Sequence, residues 1–305
     1  MQYNQFLSRI RSDIQNRVGP DVRVSLHRTL KNNSHYLDGL TILPAGESIS
    51  PTIYLNTYYQ DFREGMPLDD IIRDILKLYE QFPRLQLASP EQFPDFEKAR
   101  SHIAYRLINF ASNRLFLSHC PHIPKLDLAV TFFLLIEACD PDKEMTISIT
   151  WEHMKAWGIS EQLLYETAAR NTPLLYPCRC ISLEQMIAEL HVQETGGSGS
   201  PEPPLWENRS PLPMYVLTNQ KRLNGAACIL YDHVLEEFAR QAGGDFFILP
   251  SSIHETILLP CRKTMETDVL NAMVREINDT EVSPPDRLSD HVYRYGAETG
   301  QITMD

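Results

Sequence analysis

The sequence lacks an uninterrupted hydrophobic run long enough to cross a membrane. Its longest apolar stretch, LAVTFFLLIEAC at residues 128–139, contains Thr131 and Glu137, whereas a spanning helix needs about 20 predominantly apolar residues. The opening stretch, MQYNQFLSRIRSDIQNRV, likewise lacks the continuous apolar segment of a secretory signal peptide. We therefore expect a cytoplasmic protein that has no membrane partner.

Positive charge is also scarce. The chain has 28 lysine and arginine residues against 40 aspartate and glutamate residues, which gives a formal net charge of −12. An acidic surface repels the phosphate backbone of nucleic acids. The densest basic stretch, residues 9–31, is interrupted by Asp13 and Asp21. Nucleic acid is therefore not an expected partner.

Motifs that bind nucleotides or activate hydrolytic nucleophiles are absent from the sequence. Neither Gly-x-x-x-x-Gly-Lys-Ser/Thr nor Gly-x-Gly-x-x-Gly occurs, and no Gly-x-Ser-x-Gly is present. A zincin helix needs His-Glu-x-x-His, but Leu258 occupies the fourth position after His254. We predict no cofactor.

Six cysteines are scattered along the chain, and in a cytoplasmic protein we expect free thiols rather than a disulfide framework. Cys120, His122, Cys178 and Cys180 form two pairs of potential zinc ligands, since structural zinc sites draw such residues from two knuckles. Cys-x-Cys is tighter than the usual Cys-x-x-Cys, and neighbouring prolines suit simple loop corners. A zinc site and a set of loop thiols with surface histidines both stay open.

Apolar residues at helical spacing predict the helices. The clearest, residues 66–82, has Pro67 near its start and Asp69 and Asp70 at the positive end of its dipole. Residues 48–65 fit either a helix or an extended run. The predicted helices cover residues 1–18, 66–82, 95–117, 160–172, 182–192, 231–244 and 267–278.

Alternating or dense apolar residues bounded by turn residues predict the strands. They cover residues 21–30, 40–46, 125–138, 145–151, 174–181, 214–219, 224–230 and 291–303, with a hairpin over 245–260. Hairpins grouped between helices predict an α+β fold, with antiparallel or mixed sheets flanked by helices.

Four segments follow from this order. Residues 1–90 form an N-terminal α-β-β-α unit, and residues 91–192 contain a helix, a β-hairpin and further helices. Residues 193–213 are rich in proline and glycine and predict a linker or long loop. Residues 214–305 form a β-β-α-β-β-α-β part, which we expect to share a sheet with residues 126–190.

Two stretches, LDLAVTFFLLIEACDPDKEMTISITWEHMKAWGISEQLLYETAARNT and NGAACILYDHVLEEFARQAGGDFFILPSSIHETILLP, resemble an uncharacterised bacterial family over residues 126–260. In that family an Asp-Leu-Ala-Val strand leads to a helix-turn-helix and a Gly-Asp-initiated hairpin. GLTILPAGESISPTIYLNTYY, with YVLTN and LPSSIHE, is similar to a second uncharacterised family, from gut Firmicutes, over nearly the whole chain. The resemblance implies a bacterial, cytoplasmic protein with this order of elements and implies no catalytic residue.

The stretch GGDFFILPSSIHETILLP, residues 243–260, carries the weak candidates for catalysis. Ser252, His254 and Glu255 combine a hydroxyl, an imidazole and a carboxylate at a strand end, where functional groups often lie. Ser251 and Ser252 are also ordinary turn formers after Pro250. A hairpin corner and a reactive centre are the two alternatives.

Aromatic residues cluster in one stretch, where Tyr54, Tyr58, Tyr59 and Arg63 are weak candidates for binding. Tyrosine and arginine are enriched at protein interfaces, but the same spacing suits core and rim positions. Our first hypothesis is a non-enzymatic interaction or regulatory protein with an unknown protein or peptide partner. The alternative is a hydrolase of unrecognised type with a site at the Ser251–Glu255 corner.

Overall fold

The structure, a computed structural model, describes residues 1–46, 50, 52–81, 95–136, 145–195, 213–250, 252–262 and 266–304. It confirms the α+β class. The chain divides into two compact units, the first comprising Met1–Pro94 with Ile136–Met145 and the second comprising Asp95–Leu135 with Thr146–Asp305. Residues 196–212, most of the predicted linker, lie outside the described residues, as does Ser251.

In the first unit, three helices accompany a small antiparallel sheet of order β1-β2-β3. The alternating apolar and polar residues over 21–30 form the strand β1. It pairs with β2 so that Leu26 lies opposite Leu40. Residues 48–65, whose sequence fits either a helix or an extended run, contain a short strand followed by a helix. The elements are α1 (Tyr3–Val18), β1 (Val22–Leu30), β2 (Tyr36–Pro44), β3 (Thr52–Tyr54), α2 (Leu55–Arg63) and α3 (Leu68–Gln81).

The core of the first unit joins the apolar stripes of α1 and α3 to one face of this sheet. Phe6 and Ile10 of α1, Leu40 of β2 and Ile71 of α3 are all fully buried in one cluster. Burying each such side chain contributes about 1.5–3 kcal/mol. The helical spacing in the sequence therefore identifies the core-facing residues of both helices.

The second unit contains a four-stranded sheet of order β4-β6-β5, in which β7 also pairs with β6. Its strands are β4 (Ile103–Asn109), β5 (His122–Lys125), β6 (Leu128–Ile136) and β7 (Met145–Ser148). The predicted helix over 95–117 is wrong, because the strand β4 occupies its middle and is flanked by the short helices α4 (Phe96–Ala99) and α5 (Arg114–Leu117) and by two 3₁₀ turns. Ile103, Leu107 and Ile108 are buried on both faces of β4. A strand covered on both faces loses its alternation and imitates helical spacing.

A second sheet in this unit has the order β13-β12-β10-β11-β9-β8. Its strands are β8 (Cys178–Ser182), β9 (Tyr215–Asn219), β10 (Phe246–Leu249), β11 (Thr256–Pro260), β12 (Tyr293–Gly296) and β13 (Gln301–Met304). The C-terminal part thus shares a sheet with residues 178–182 of the predicted range, whereas β6 belongs to the other sheet. The predicted closing strand over 291–303 is a hairpin of two strands.

Helices cover both faces of the six-strand sheet. Phe238 of α9 contacts the ring of Phe246, with the centroids 4.7 Å apart, while Leu270 and Val274 of α10 pack against Phe247 on the opposite face. The remaining helices are α6 (Trp151–Trp157), α7 (Glu161–Leu175), α8 (Leu183–Thr195), α9 (Val234–Ala242) and α10 (Thr267–Thr280). Within the described ranges, none of these helices combines the length and hydropathy of a membrane-spanning segment.

The predicted strand over 224–230 is also wrong, because Gly225–Leu230 forms a 3₁₀ helix. A Cβ atom on Gly225 would lie 2.2 Å from Oγ1 of Thr218 and 2.3 Å from the carbonyl oxygen of His254. Glycine is therefore required for this close packing. The small apolar residues of the segment are buried all round, so the sequence shows no period that separates a tight helix from a strand.

Candidate functional site

The predicted hairpin corner forms between β10 and β11, which pair in antiparallel register. Ser252 is buried, and its Oγ accepts a hydrogen bond from the backbone N–H of His254 at 3.0 Å. Glu255 is half-buried just before β11. In this arrangement the serine hydroxyl caps the turn and does not contact the imidazole ring two residues later.

The imidazole of His254 has two other partners. Its Nε2 lies 3.5 Å from Oδ1 of Asp286, and its Nδ1 accepts a hydrogen bond of 3.3 Å from the backbone N–H of Asn224. The carbonyl oxygen of His254 accepts a hydrogen bond from Oγ1 of Thr218 at 2.7 Å. The histidine therefore joins the corner to the turn before the 3₁₀ helix.

The pairing of His254 with Asp286 shifts the pKa of both side chains. The hydrogen bond with Asp286 raises the pKa of His254, against the opposing effect of burial. The reciprocal hydrogen bond lowers the pKa of Asp286, whose carboxylate also accepts from Oγ of Ser283 at 2.5 Å. Both nitrogens of this imidazole have polar partners, which favours a structural role. A general base needs a free nitrogen that can take a proton.

The aromatic binding candidates lie in the first unit, at the N-cap of α2 and within that helix. Tyr58 and Tyr59 are half-buried and pack against its core, and the ring of Tyr59 meets Tyr3 edge-on at 4.8 Å. Tyr54 lies instead under Nζ of Lys31, at 4.4 Å from the ring centroid. Arg63 is exposed at the end of α2.

The cysteine and histidine candidates for zinc lie on different sheets. Cys120 is buried among apolar side chains beside β5, and this burial raises the pKa of its thiol to about 11. Nδ1 of His122 lies 3.0 Å from the carbonyl oxygen of Cys120. Cys178 and Cys180 belong to β8. In the part of the chain that the structure describes, no three histidine, cysteine or acidic side chains come together as metal ligands.

The structure brings together a polar cluster that sequence reasoning misses. The carboxylate of Asp127 accepts hydrogen bonds from Ser289 Oγ at 2.6 Å and Tyr293 OH at 2.5 Å, and it lies 3.0 Å from His291 Nδ1. Ser289 is buried and Tyr293 is fully buried. The Ser289 hydroxyl donates to the carboxylate and bonds only the backbone of His291, whose N–H it accepts at 2.9 Å, so the cluster ties the β5–β6 turn to β12. A separation of 162 residues hides it from motif searches.

The second unit also contains a cleft of about 760 Å³. One wall is the segment Ile229–Glu236, which runs from the 3₁₀ helix into α9. The opposite wall is the β12–β13 hairpin, from Tyr295 to Ile302, and Lys125 and Tyr165 complete the lining. These residues come from four distant stretches, so no local pattern in the sequence predicts the cleft.

The hairpin wall is held by a carboxylate outside the cleft. Asp245 accepts a hydrogen bond of 2.9 Å from the backbone N–H of Ala297 and forms an ion pair of 2.7 Å with Arg294. These two interactions, the backbone bond first, lower the pKa of Asp245. The rim of the cleft at Ala297 is therefore fixed before any ligand arrives.

The opposite wall contains a strained residue. His233 has φ of 64° and ψ of −7°, a left-handed conformation that costs about 1–3 kcal/mol in a residue with a side chain. Its Nδ1 lies 3.1 Å from Glu236, and this hydrogen bond raises the pKa of His233. Five other described residues with side chains, Asn33, Ser34, Leu126, Arg222 and Asn224, also have a positive φ, so this conformation does not by itself identify a site. The cleft is a candidate functional site because it places Asp232, His233, Glu236 and Glu298 on one concave surface.

The sequence model of one protein family, described as a "Family of unknown function (DUF5688)", matches residues 3–297 of this chain. No curated protein and no solved structure matches it.

Proposed function

The chain belongs to this family of unknown function, which supplies no activity, and we propose from the geometry that it is a non-enzymatic interaction protein that binds a basic, extended peptide. One observation carries the proposal, namely that the cleft of about 760 Å³ is lined by Gln301 and Ile302, the first two residues of the end strand β13 of the six-strand sheet. Pockets of this size accommodate several side chains.

The position of β13 at the edge of the sheet favours binding of an extended peptide. Among the described strands β13 pairs with β12 alone, and Gln301 and Ile302 of β13 also line the cleft. An end strand presents backbone N–H and C=O groups at its outer edge. An extended peptide can add there as a further strand, while alternate side chains enter the adjoining cleft.

The charge of the cleft supports a basic ligand. Asp232, Glu236 and Glu298 line it, against Lys125 and His233, whose pKa is raised by its hydrogen bond with Glu236. The net charge of −12 on the whole chain adds a long-range attraction for cations. Complementary charge raises association rates and is screened by salt.

The test is peptide binding by fluorescence anisotropy. We expect lysine- and arginine-rich extended peptides to bind the full chain, glutamate-rich peptides of equal length not to bind, and affinity to fall with salt. Backbone N-methylation of a binding peptide should abolish binding at every second position only, because alternate N–H groups face the strand. Binding without this alternation, or binding by neither peptide class, would overturn the proposal.

A matched pair of triple variants locates the site. Asp232→Asn with Glu236→Gln and Glu298→Gln should weaken binding about tenfold, since exposed charges contribute roughly 0.2–1 kcal/mol each. The control neutralises Asp268, Glu276 and Glu281, exposed acids in or next to α10, which packs on the opposite sheet face from α9. Equal weakening by both triple variants would place the peptide elsewhere.

The hydrolase alternative at the Ser251–Glu255 corner is less well supported. Both ring nitrogens of His254 have partners, and Ser252 Oγ accepts from a backbone N–H. Mass spectrometry of the peptides after incubation distinguishes the two functions. Cleavage that is lost in His254→Asn would favour the hydrolase.

A further inference from the structure

An arginine in the middle of β4 has no carboxylate partner among the described residues. Nη2 of Arg106 donates to Oγ of Ser148 on β7 at 3.1 Å, whereas its Nε is out of solvent contact and has no hydrogen-bond partner in the described ranges. Burial lowers the pKa of the guanidinium, which still stays protonated because the pKa of arginine starts above about 12. A charge that is removed from water is normally paired, so this cation is available for an anion.

A buried hydroxyl next to this arginine is also unsatisfied. Thr131 of β6 lies directly opposite Arg106 in the antiparallel register, and it is 1% exposed. Its Oγ1 has no hydrogen-bond partner in the part of the chain that the structure describes. Residues directly opposite each other share one face of a sheet, with Cβ atoms about 4.5–5.5 Å apart. Most buried hydroxyls are hydrogen-bonded, so two unsatisfied polar groups side by side indicate a site that a ligand completes.

Apolar clusters flank these two polar groups on the same face of the sheet. Ala104 and Phe133 belong to one cluster, and Ile108 and Ala129 belong to the other. Both pairs follow the β4–β6 register that also places the arginine opposite the threonine. The guanidinium carbon lies 5.7 Å from the centroid of the Phe133 ring, a contact that stabilises a cation without neutralising its charge. The polar pair therefore interrupts an apolar face and still lacks an acceptor.

We propose that Arg106, Thr131 and Ser148 bind a small oxyanion, the phosphate or carboxylate group of a small molecule. The planar guanidinium presents parallel N–H groups that match two oxygens of either group. The Ser148 hydroxyl accepts from Arg106 through its oxygen and keeps its hydrogen for the ion, and the Thr131 hydroxyl supplies a further donor. The bound ion neutralises the arginine and provides the acceptor that both unsatisfied groups need.

The accessibility of these side chains limits the ligand to a small one. Arg106 and Ser148 are each half-buried, so an ion can approach the guanidinium from solvent. Nε of Arg106 and Oγ1 of Thr131 are out of solvent contact, so the long arginine side chain rotates to open both groups to the ion. A large ligand would also have to separate the flanking apolar clusters. This inference goes beyond the proposed peptide binding and does not depend on it.

The experiment titrates the full chain with inorganic phosphate, acetate and chloride by isothermal calorimetry. Ionic strength and pH are held constant, because His122 lies opposite Thr131 on β5 and its charge affects an anion nearby. We expect saturable binding of phosphate to one site, weaker binding of acetate because it carries less charge, and none of chloride. Tighter binding of acetate than of phosphate would assign the site to a carboxylate group. Binding of neither oxyanion, or binding of chloride as tight as theirs, would overturn the proposal.

Variants of the three donors locate the bound ion. Arg106→Met should abolish binding, whereas Thr131→Val and Ser148→Ala should each weaken it about tenfold, because hydrogen bonds to charged groups are among the strongest in proteins. Thr131→Val is the sharpest of these variants. Valine has the shape of threonine and removes an unsatisfied hydroxyl, so the urea midpoint in buffer without oxyanions should not fall while the affinity does.

A matched control separates the site from general attraction of anions. Arg240→Gln removes an exposed arginine of α9 that pairs with Glu237, and this variant should bind the oxyanion as the wild type does. Equal weakening by Arg240→Gln and Thr131→Val would overturn the proposal. Wild-type affinity in both Thr131→Val and Arg106→Met would do the same, since the ion would then lie elsewhere.

Discussion

At the residue scale, the His254–Asp286 pair makes stability depend on pH. Asp286 raises the pKa of His254, so its stabilisation is complete below the unfolded histidine value of about 6.5 and is lost as pH rises through the folded value. Asp286 has a lowered pKa, so its contribution is present above about pH 3.9 and is lost in acid. The ion pair therefore stabilises most between these limits.

We expect His254→Asn to be less stable than the wild type by up to about 1 kcal/mol at pH 5.5, because asparagine loses the ion pair with Asp286, which outweighs the long Asn224 N–H bond that Nδ1 gives up when it is protonated. The difference should shrink by pH 8.5. Urea denaturation at both pH values measures it, and Asp286→Asn should give the same trend. A difference that grows with pH would contradict the pairing.

The sequence singles out His254 but not the partner that decides its chemistry. Asp286 follows a whole helix and lies within a Pro-Pro-Asp turn, a context that suggests only a loop. Likewise, the sequence does not indicate that Tyr59 packs against Tyr3 of α1 or that Tyr54 lies under Lys31. Side-chain partners across distant elements depend on tertiary packing, which a local pattern does not encode.

At the scale of elements, Asp127 connects the two sheets of the second unit. It lies in the β5–β6 turn and bonds Tyr293, the first residue of β12. We expect Asp127→Ala to lower the free energy of unfolding by about 3 kcal/mol or more, because charge-assisted hydrogen bonds contribute roughly 1.5–3 kcal/mol each and the buried donors lose their acceptor.

Equilibrium denaturation of Asp127→Ala beside Ser289→Ala and Tyr293→Phe tests this connection. Each donor variant removes one bond to the carboxylate and should cost less than the acid variant, although Ser289→Ala also removes the bond from the His291 N–H to the serine hydroxyl. The double variant Asp127→Ala with Tyr293→Phe should then cost less than the sum of the two single changes. Additive losses would mean that the two groups do not interact.

Elements with a clear period were predictable, and those buried on all sides were not. The alternation over 21–30 and the stripe over 66–82 correspond to β1 and α3. The apolar runs of β4 and of Gly225–Leu230 carry no period that separates strand from helix, so both were assigned wrongly. An element that is buried on every face has apolar residues on all sides, so the period of apolar and polar residues no longer distinguishes a helix from a strand.

At the scale of the whole molecule, each unit has its own apolar core. Ile71 is fully buried in the first unit and Leu258 in the second. We expect Ile71→Ala and Leu258→Ala each to cost about 2–5 kcal/mol and to lower different transitions in a calorimetric scan. One transition shifted equally by both variants would show that the units unfold together.

The long separation between Asp127 and its donors has a consequence for biosynthesis. The first donor, Ser289, lies 162 residues later, and ribosomes add about 5–20 residues per second. Roughly 10–30 s of synthesis therefore separate the Asp127 carboxylate from the residues that donate hydrogen bonds to it. During that interval the β5–β6 turn lacks the hydrogen bonds that hold it to β12, so this connection between the two sheets forms only after Ser289 and Tyr293 have been synthesised.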